Sequence, residues 1–186
     1  MIHMISLILS LPLWAQSILF PVADRIRFVE LSPGGGYGYT VPSHAQPERT
    51  FITLEEASRT VFADSFTLMS EKNRLYVLDN IKGVWILPLN DTDHPYRYKG
   101  RAYVNELCGH TLYIGWEQLG SELTEDNAEM LGHEAAHGAC HQHGNILWRI
   151  EADIRVDIWE AKNGPLLHVT RQHAIDFIML ERHGHK

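Results

Sequence analysis

The feature that most constrains this chain is the pentapeptide His133–His137, whose sequence His-Glu-Ala-Ala-His is an H-E-x-x-H motif. Residues four apart lie on one face of a helix, so the two imidazoles can bind a single cation only if this stretch is helical. Thr124 is a suitable N-cap, and acidic residues follow it in the first turn. No proline interrupts residues 124–143, and Gly144 follows them. We therefore predict a helix over 124–143 with the motif inside it.

The motif carries the residue types of a hydrolytic zinc site. His133 and His137 supply two neutral nitrogens, which suit Zn²⁺, and a position left open on the metal can hold a water. A bound metal lowers the pKa of that water to about 7. Glu134 lies about 100° round the helix from His133 and can hold and deprotonate the water. These residues predict two metal ligands and a general base.

Such a site needs a third protein ligand, for which we favour Glu151. It lies on a second predicted helix, residues 146–162, at the edge of an apolar stripe. A carboxylate that faces a core is costly unless it is paired or binds a metal. Asp153 and Asp157 are alternatives on the same helix. For Asp153 we favour an i,i+4 surface ion pair with Arg149, and Asp157 is suited to accept the second N–H of a liganding imidazole.

Two further histidines compete for the third position. His143 completes the spacing H-E-x-x-H-x-x-G-x-x-H, but Cys140 occupies the glycine position. A cysteine adopts positive φ only at a cost, so a helix that continues through it would point His143 away from the metal. His141 stands one turn beyond His137, and three ligands on one straight helix are hard to bring to one small ion. We expect His141 to line the site or to form a hydrogen bond within it.

The stretch over about 121–162 resembles the zincin metallopeptidases, and among them the gluzincin type, whose H-E-x-x-H helix is followed by a helix with a glutamate ligand. Residues 149–153 (Arg-Ile-Glu-Ala-Asp) look like the E-x-E-A-D part of CAAX-prenyl-protease-like enzymes and of small metallopeptidases that cleave phage repressors. The resemblance implies His133 and His137 as ligands and Glu134 as general base. Arg149 stands where those families place the liganding glutamate, so Glu151 rests on helix geometry alone.

The expected fold class is α+β. A β-rich N-terminal half with an antiparallel or mixed sheet would precede the H-E-x-x-H helix and two further helices, in a zincin-like arrangement. Turn-bounded runs at about ten-residue spacing predict an antiparallel meander. The strand at Thr111–Trp116 comes before the motif helix, and we treat it as a candidate strand for aligning an extended substrate. The runs assigned as strands are 25–31, 37–41, Thr60–Leu68, Arg74–Leu78, Gly83–Leu89 and Thr111–Trp116. The helices are 124–143, 146–162 and 166–183, and a short helix is also expected to begin at Thr53, with Thr53 as its N-cap and Glu56 three residues on.

The net charge argues against some classes of partner, and the N-terminal residues and the two cysteines bear on the location of the protein. The chain has 186 residues and a net charge of −7, without a run of Lys or Arg, which argues against nucleic acid and anionic membrane surfaces. Residues 1–17 form a candidate signal peptide, although no Lys or Arg precedes its apolar run, and 18–186 a single zincin-like metallopeptidase domain. We favour a secreted or periplasmic protein over a cytoplasmic one, with membrane contact only through the apolar segment if it is not cleaved. Cys108 and Cys140 would form a disulfide after export or stay buried thiols in the cytosol.

The predicted function is a zinc-dependent metallopeptidase (a metalloendopeptidase) acting on a peptide or protein substrate, with Glu134 as general base and a zinc-bound water as nucleophile. A further donor to the oxyanion is expected. The alternative is a non-catalytic, His-rich metal-binding protein, and a third possibility is an interaction module with a β-rich recognition half. The candidates for the oxyanion donor are His168, His173, Tyr113 and Arg171.

Overall fold

The computed structural model describes residues 25–30, 39–41, 49–51, 54–87, 103–105, 107–115 and 124–184. The candidate signal peptide, residues 1–17, lies outside the described residues. None of the helices in the described part of the chain is long and apolar enough to cross a membrane. The elements, in chain order, are β1 (Arg27–Glu30), β2 (Tyr39–Val41), β3 (Arg49–Phe51), α1 (Leu54–Thr67), α2 (Glu71–Asn80), β4 (Gly83–Leu87), β5 (Tyr103–Asn105), β6 (Thr111–Gly115), α3 (Thr124–Gly138), α4 (Asn145–Asn163) and α5 (His168–Gly184).

The larger sheet has the strand order β1-β4-β6-β5. β1, β4 and β6 are parallel, with Arg27 opposite Gly83 and Gly83 opposite Thr111. β5 pairs with β6 in the antiparallel direction, with Tyr103 opposite Ile114. Strands β2 and β3 form a separate antiparallel pair. Two parallel neighbours need crossover connections, and α1 and α2 lie in the first of these, between β1 and β4.

The expected β-rich antiparallel N-terminal half is therefore wrong, and the described residues are mostly helical. The runs Thr60–Leu68 and Arg74–Leu78, predicted as strands, lie in or at the ends of α1 and α2. Their β-branched and aromatic residue types favoured strands. The buried positions instead recur at helical spacing, which places them on one face of each helix. In α1 and α2 the buried residues at this spacing are Ser58, Val61, Phe62, Ser65, Phe66, Asn73, Val77 and Leu78, and Ala63 of α1 is buried as well.

The strand predicted over Thr111–Trp116 is confirmed as β6 for Thr111–Gly115, and Trp116 lies outside the described residues. The proposed role of this strand as a substrate-aligning edge does not fit the sheet. β6 lies between β4 and β5 and pairs with both, so its backbone groups are used within the sheet. Among the described strands of this sheet, β1 and β5 are the edges.

The core lies on one face of the sheet, under the helices. Val84 and Ile86 of β4 are buried, while Trp85 between them is partly exposed and stacks edge-on against Tyr113. This alternation follows from the two-residue period of a strand. The buried face packs on residues of α1 to α4, and the larger of these are Phe62, Phe66, Val77, Leu78, Leu131, Ile154 and Ile158.

The C-terminal helices agree with the sequence in number and nearly in position. The helices predicted over 146–162 and 166–183 are confirmed as α4 and α5, within two residues at each end. The motif helix is confirmed as α3, but it ends at Gly138 rather than at 143. That earlier end decides the geometry of the site.

Candidate metal centre

Three histidine side chains meet at the end of α3. His133 and His137 belong to the helix, and His143 lies in the loop that follows it. The Nε2 atom of His133 is 3.1 Å from that of His137 and 3.3 Å from that of His143. One ligand atom from each of the three residues lies within 4.8 Å of the others, close enough to bind one metal ion.

A tight turn after Gly138 carries His143 back to the helix. The N–H of Cys140 donates to the carbonyl of His137, and the N–H of His141 donates to that of Ala136. These two bonds form a Schellman motif, which requires a left-handed residue at the position of Cys140. Cys140 has a φ of 65°. The expectation that cysteine would let the helix continue and turn His143 away is therefore wrong.

A disulfide accompanies this unusual backbone. Cys140 is bonded to Cys108, which also has a positive φ, of 64°. For a residue other than glycine this conformation costs roughly 1–3 kcal/mol and persists only when its surroundings impose it. Here the surroundings include the disulfide and a hydrogen bond of 2.7 Å from the N–H of Cys108 to the carbonyl of His137. The disulfide thus joins two turns beside the histidine cluster.

The second ring nitrogens of two histidines have partners that orient them. Nδ1 of His137 lies 2.9 Å from the carbonyl oxygen of His141, which can only accept. Nδ1 of His137 must therefore carry the proton, and Nε2 keeps its lone pair toward the cluster. Nδ1 of His133 lies 2.5 Å from Oε1 of Glu151, so it also carries the proton, and Nε2 of His133 keeps its lone pair toward the cluster. Burial and the neighbouring imidazoles hold the pKa of His137 below its ordinary value, which favours the neutral ring that binds metals.

Glu151, predicted as the third ligand, is buried at 6% exposure but lies on the far side of the His133 ring from the cluster. Its other oxygen forms an ion pair with Arg182 of α5. Burial raises the pKa of Glu151, but the hydrogen bond from His133 and the charge of Arg182 outweigh it and hold the pKa below its usual range. A charged Glu151 fixes the tautomer of His133, the role that the sequence analysis gave to Asp157.

Asp153 and Asp157 lie elsewhere, in an ion-pair network between α2, α4 and α5. Arg171 donates to both carboxylates and also pairs with Glu160. Lys72 of α2 binds Asp153 at 2.6 Å. The expected surface pair between Asp153 and Arg149 is wrong, since Asp153 is buried and Arg149 pairs with Asp176.

Asp157 has further donors from the start of α2. The Ser70 N–H lies 2.7 Å from its Oδ2, and the Asn73 amide lies at the same distance. Neither Asp153 nor Asp157 is among the three residues of the metal cluster.

Glu134, which the sequence predicts as a general base, is buried, and a cavity lies next to the histidine cluster. Glu134, between the two helical ligands in sequence, is buried at 4% exposure. A cavity of about 380 Å³ adjoins the cluster and is lined by Leu107, His137, Gln142 and His143. Leu107 and Gln142 had no signal in the sequence, because they reach the site through the disulfide-linked turns.

The four candidates for an oxyanion donor are not among the residues that line this cavity. Arg171 is bound to three carboxylates. His168 and Arg171 line a different and larger cavity of about 1060 Å³ between α2, α4 and α5. Tyr113 stacks on Trp85, and His173 is exposed on α5.

A scan against protein-family models matched none, and searches of curated proteins and of solved structures returned no match either.

Proposed function

We propose that this chain is a zinc-dependent metallopeptidase in which His133, His137 and His143 are the metal ligands. The observation that carries the proposal is the convergence of three imidazole nitrogens at 3.1 and 3.3 Å. Zn–N distances of 2.0–2.1 Å in a tetrahedral site place two ligand nitrogens roughly 3.3 Å apart. The donor set therefore fits zinc, and it replaces the set with Glu151 that the sequence favoured.

The donor chemistry also supports a cation at this position. With Nδ1 protonated on His133 and His137, their Nε2 lone pairs face each other at 3.1 Å. Two facing lone pairs repel unless a proton or a metal ion lies between them. Three protein ligands leave a fourth position open, as in catalytic rather than structural zinc sites.

When bound, zinc would lower the pKa of a water and polarise the carbonyl of a substrate. Glu134 takes the proton from the attacking water and returns it to the leaving amine. The Glu151 carboxylate and the His141 carbonyl hold the rings of His133 and His137 in the orientation that binds metal. The cavity beside His137 and His143 is where a substrate carbonyl would approach the cluster. The resemblance of the motif to zincins supports the same reaction.

The disulfide supports a location outside the cytosol. Disulfides persist in oxidising compartments, and Cys108 and Cys140 account for both cysteines of the chain. We therefore propose that the protein acts after export, in the periplasm or outside the cell.

The test combines metal content with a matched pair of glutamate variants. We expect about one zinc per chain in protein purified without chelator or a histidine tag, and loss of that zinc in His137→Ala. Glu134→Gln should keep zinc and lose roughly 10²–10⁴-fold in turnover of a mixed peptide library. Glu129→Gln is the control, because Glu129 lies on the same helix and pairs with Arg155.

Two results would contradict this proposal. A wild-type chain that binds no zinc when zinc is supplied has no such site. A chain that binds zinc, and whose Glu134→Gln variant is indistinguishable from wild type in every assay, is the non-catalytic metal-binding protein.

A further inference from the structure

The two half-cystines lie in the turns that build the edge of the histidine cluster. Cys140 is the left-handed residue of the turn after α3, three residues before His143. Cys108 lies in the turn before β6, next to Leu107, which lines the cavity at the cluster. Both cysteine residues are exposed, so a solvent reductant can reach the bond.

His137 connects these turns to the metal ligands. Its carbonyl accepts from the N–H of Cys108 at 2.7 Å and from that of Cys140 at 2.9 Å. Its side chain donates to the carbonyl of His141 within the same turn. A change in the turn therefore acts on the helical ligand as well as on His143.

The alternative path of the chain is a longer helix. No proline or glycine interrupts residues 139–143, so the helix can continue through them once the turn is released. His143 would then lie six residues after His137, which puts it about 120° round the helix from His137 and about 80° from His133. A longer helix over this segment would therefore leave the cluster without its third imidazole.

We propose that the Cys108–Cys140 disulfide completes the metal site, so that zinc binds tightly to the oxidised chain and weakly to the reduced one. The inference rests on the proposed function, because it takes His143 as a zinc ligand. A dithiol reductant gives two electrons and two protons to the disulfide. The products are the two cysteine thiols and the oxidised reductant. The reduced chain no longer imposes positive φ on Cys140, and His143 leaves the cluster. The enzyme is thereby kept without its full ligand set until it reaches an oxidising compartment.

The test uses variants without cysteines, because free thiols bind zinc themselves. Cys108→Ala with Cys140→Ala removes the disulfide and keeps a residue that resists positive φ. Cys108→Ala with Cys140→Gly also removes the disulfide but allows the turn. Zinc affinity is measured by competition with a chelator, and helical content by circular dichroism. We expect the alanine pair to lose about 10–100-fold in zinc affinity, and the glycine pair to regain most of it.

The His143→Ala background separates this effect from general stabilisation. If the disulfide acts mainly by placing His143, the alanine pair should cause a much smaller loss of zinc affinity once His143 is replaced, and the remaining loss reflects the contacts of His137 with the same turn. A loss of the same size in both backgrounds overturns the proposal, as does an alanine pair that binds zinc like the wild type. In both cases wild-type zinc binding remains, so the proposed function stands. A wild type without zinc affinity removes the proposed function itself.

A second sample decides the case in which the alanine pair does not fold. Wild-type protein is reduced with dithiothreitol, its two thiols are blocked with iodoacetamide so that they cannot bind metal, and the desalted protein is titrated with Co²⁺ to follow its visible spectrum. A reduced chain that keeps its helical signal and changes its cobalt spectrum to that of His143→Ala supports the proposal. A reduced chain that loses its helical signal overturns it, because the disulfide then holds the whole fold rather than the turn.

Discussion

The close contact between Gly132 of α3 and Ile154 of α4 connects the packing of the fold to the metal centre. A Cβ atom on residue 132 would lie 2.0 Å from Cδ1 and 3.4 Å from Cγ1 of Ile154. Carbon atoms in contact are about 3.5–4.0 Å apart. Gly132→Ala therefore requires either a rotation of Ile154 or a separation of the two helices by roughly 1.5 Å.

The cost follows from the burial of Ile154, which has no exposed surface. Forcing an extra methyl group into a packed core costs about 1–3 kcal/mol, whereas alanine gains about 1 kcal/mol over glycine inside a helix. We expect Gly132→Ala to lower the free energy of unfolding by about 1 kcal/mol. Ile154→Val removes the clashing Cδ1 and alone costs about 0.5–1.5 kcal/mol. The double variant should be more stable than the sum of the single changes predicts, by about 1–3 kcal/mol.

Urea denaturation of the metal-free wild type, the two single variants and the double variant measures this coupling. Zinc affinity shows whether α3 and α4 have separated. The hydrogen bond from His133 to Glu151 spans the same helix pair as the clash. If the helices separate, Gly132→Ala loses roughly tenfold or more in zinc affinity, and Ile154→Val restores it. Stability changes that add within about 0.5 kcal/mol would refute the packing argument. Unchanged zinc affinity alongside clear coupling would show that Ile154 rotates and the helices stay in place.

Two further predictions concern the charged groups of α4. Glu151→Gln should lower zinc affinity, measured by chelator competition, by about 10–100-fold, because Glu151 orients the ring of His133. Arg182→Ala should cause a smaller loss of zinc affinity, and Arg182→Lys should prevent part of that loss. A Glu151→Gln variant with wild-type affinity would contradict the role of Glu151 in orienting His133. Burial raises the pKa of Asp153, but the hydrogen bonds and charges of Lys72 and Arg171 outweigh it and hold the pKa below its ordinary value. Asp153 therefore stabilises the metal-free fold at pH values above its unfolded-state pKa, and this stability is lost as the pH falls through the folded-state pKa. Urea titrations from pH 5 to pH 3 should show a steeper loss in the wild type than in Asp153→Asn, and equal slopes would exclude the assigned ion pairs.

Local patterns in the sequence were sufficient for the parts of the fold that depend on local physics. The H-E-x-x-H spacing placed His133 and His137 on one helical face, and the apolar stripe of α4 gave that helix to within a residue at each end. In α1 the patterns predicted the start of the helix next to Thr53 but wrongly assigned Thr60–Leu68 to a strand, because residue type and residue spacing disagree there. Val61, Phe62 and Phe66 favour strands as types, but they pack on α3 and on the sheet from one side of a helix. In α1 the packing of these side chains in the core outweighed their intrinsic preference for strands.

The third ligand depended on a contact that no local pattern contains. From the residues around Cys140 alone, a helix that continues is the cheaper path, because a side chain at positive φ is strained. Cys108 is 32 residues away in sequence, and its disulfide bond to Cys140 favours the turn. The hydrogen bonds from the N–H groups of both cysteines to the carbonyl of His137 favour it as well. A glycine at this position would make the turn by local conformational freedom, whereas the cysteine makes it dependent on a distant partner. Cys140 at the glycine position is the reason why the local pattern did not place His143 in the cluster. In our proposal, the same cysteine allows the metal site to respond to oxidation.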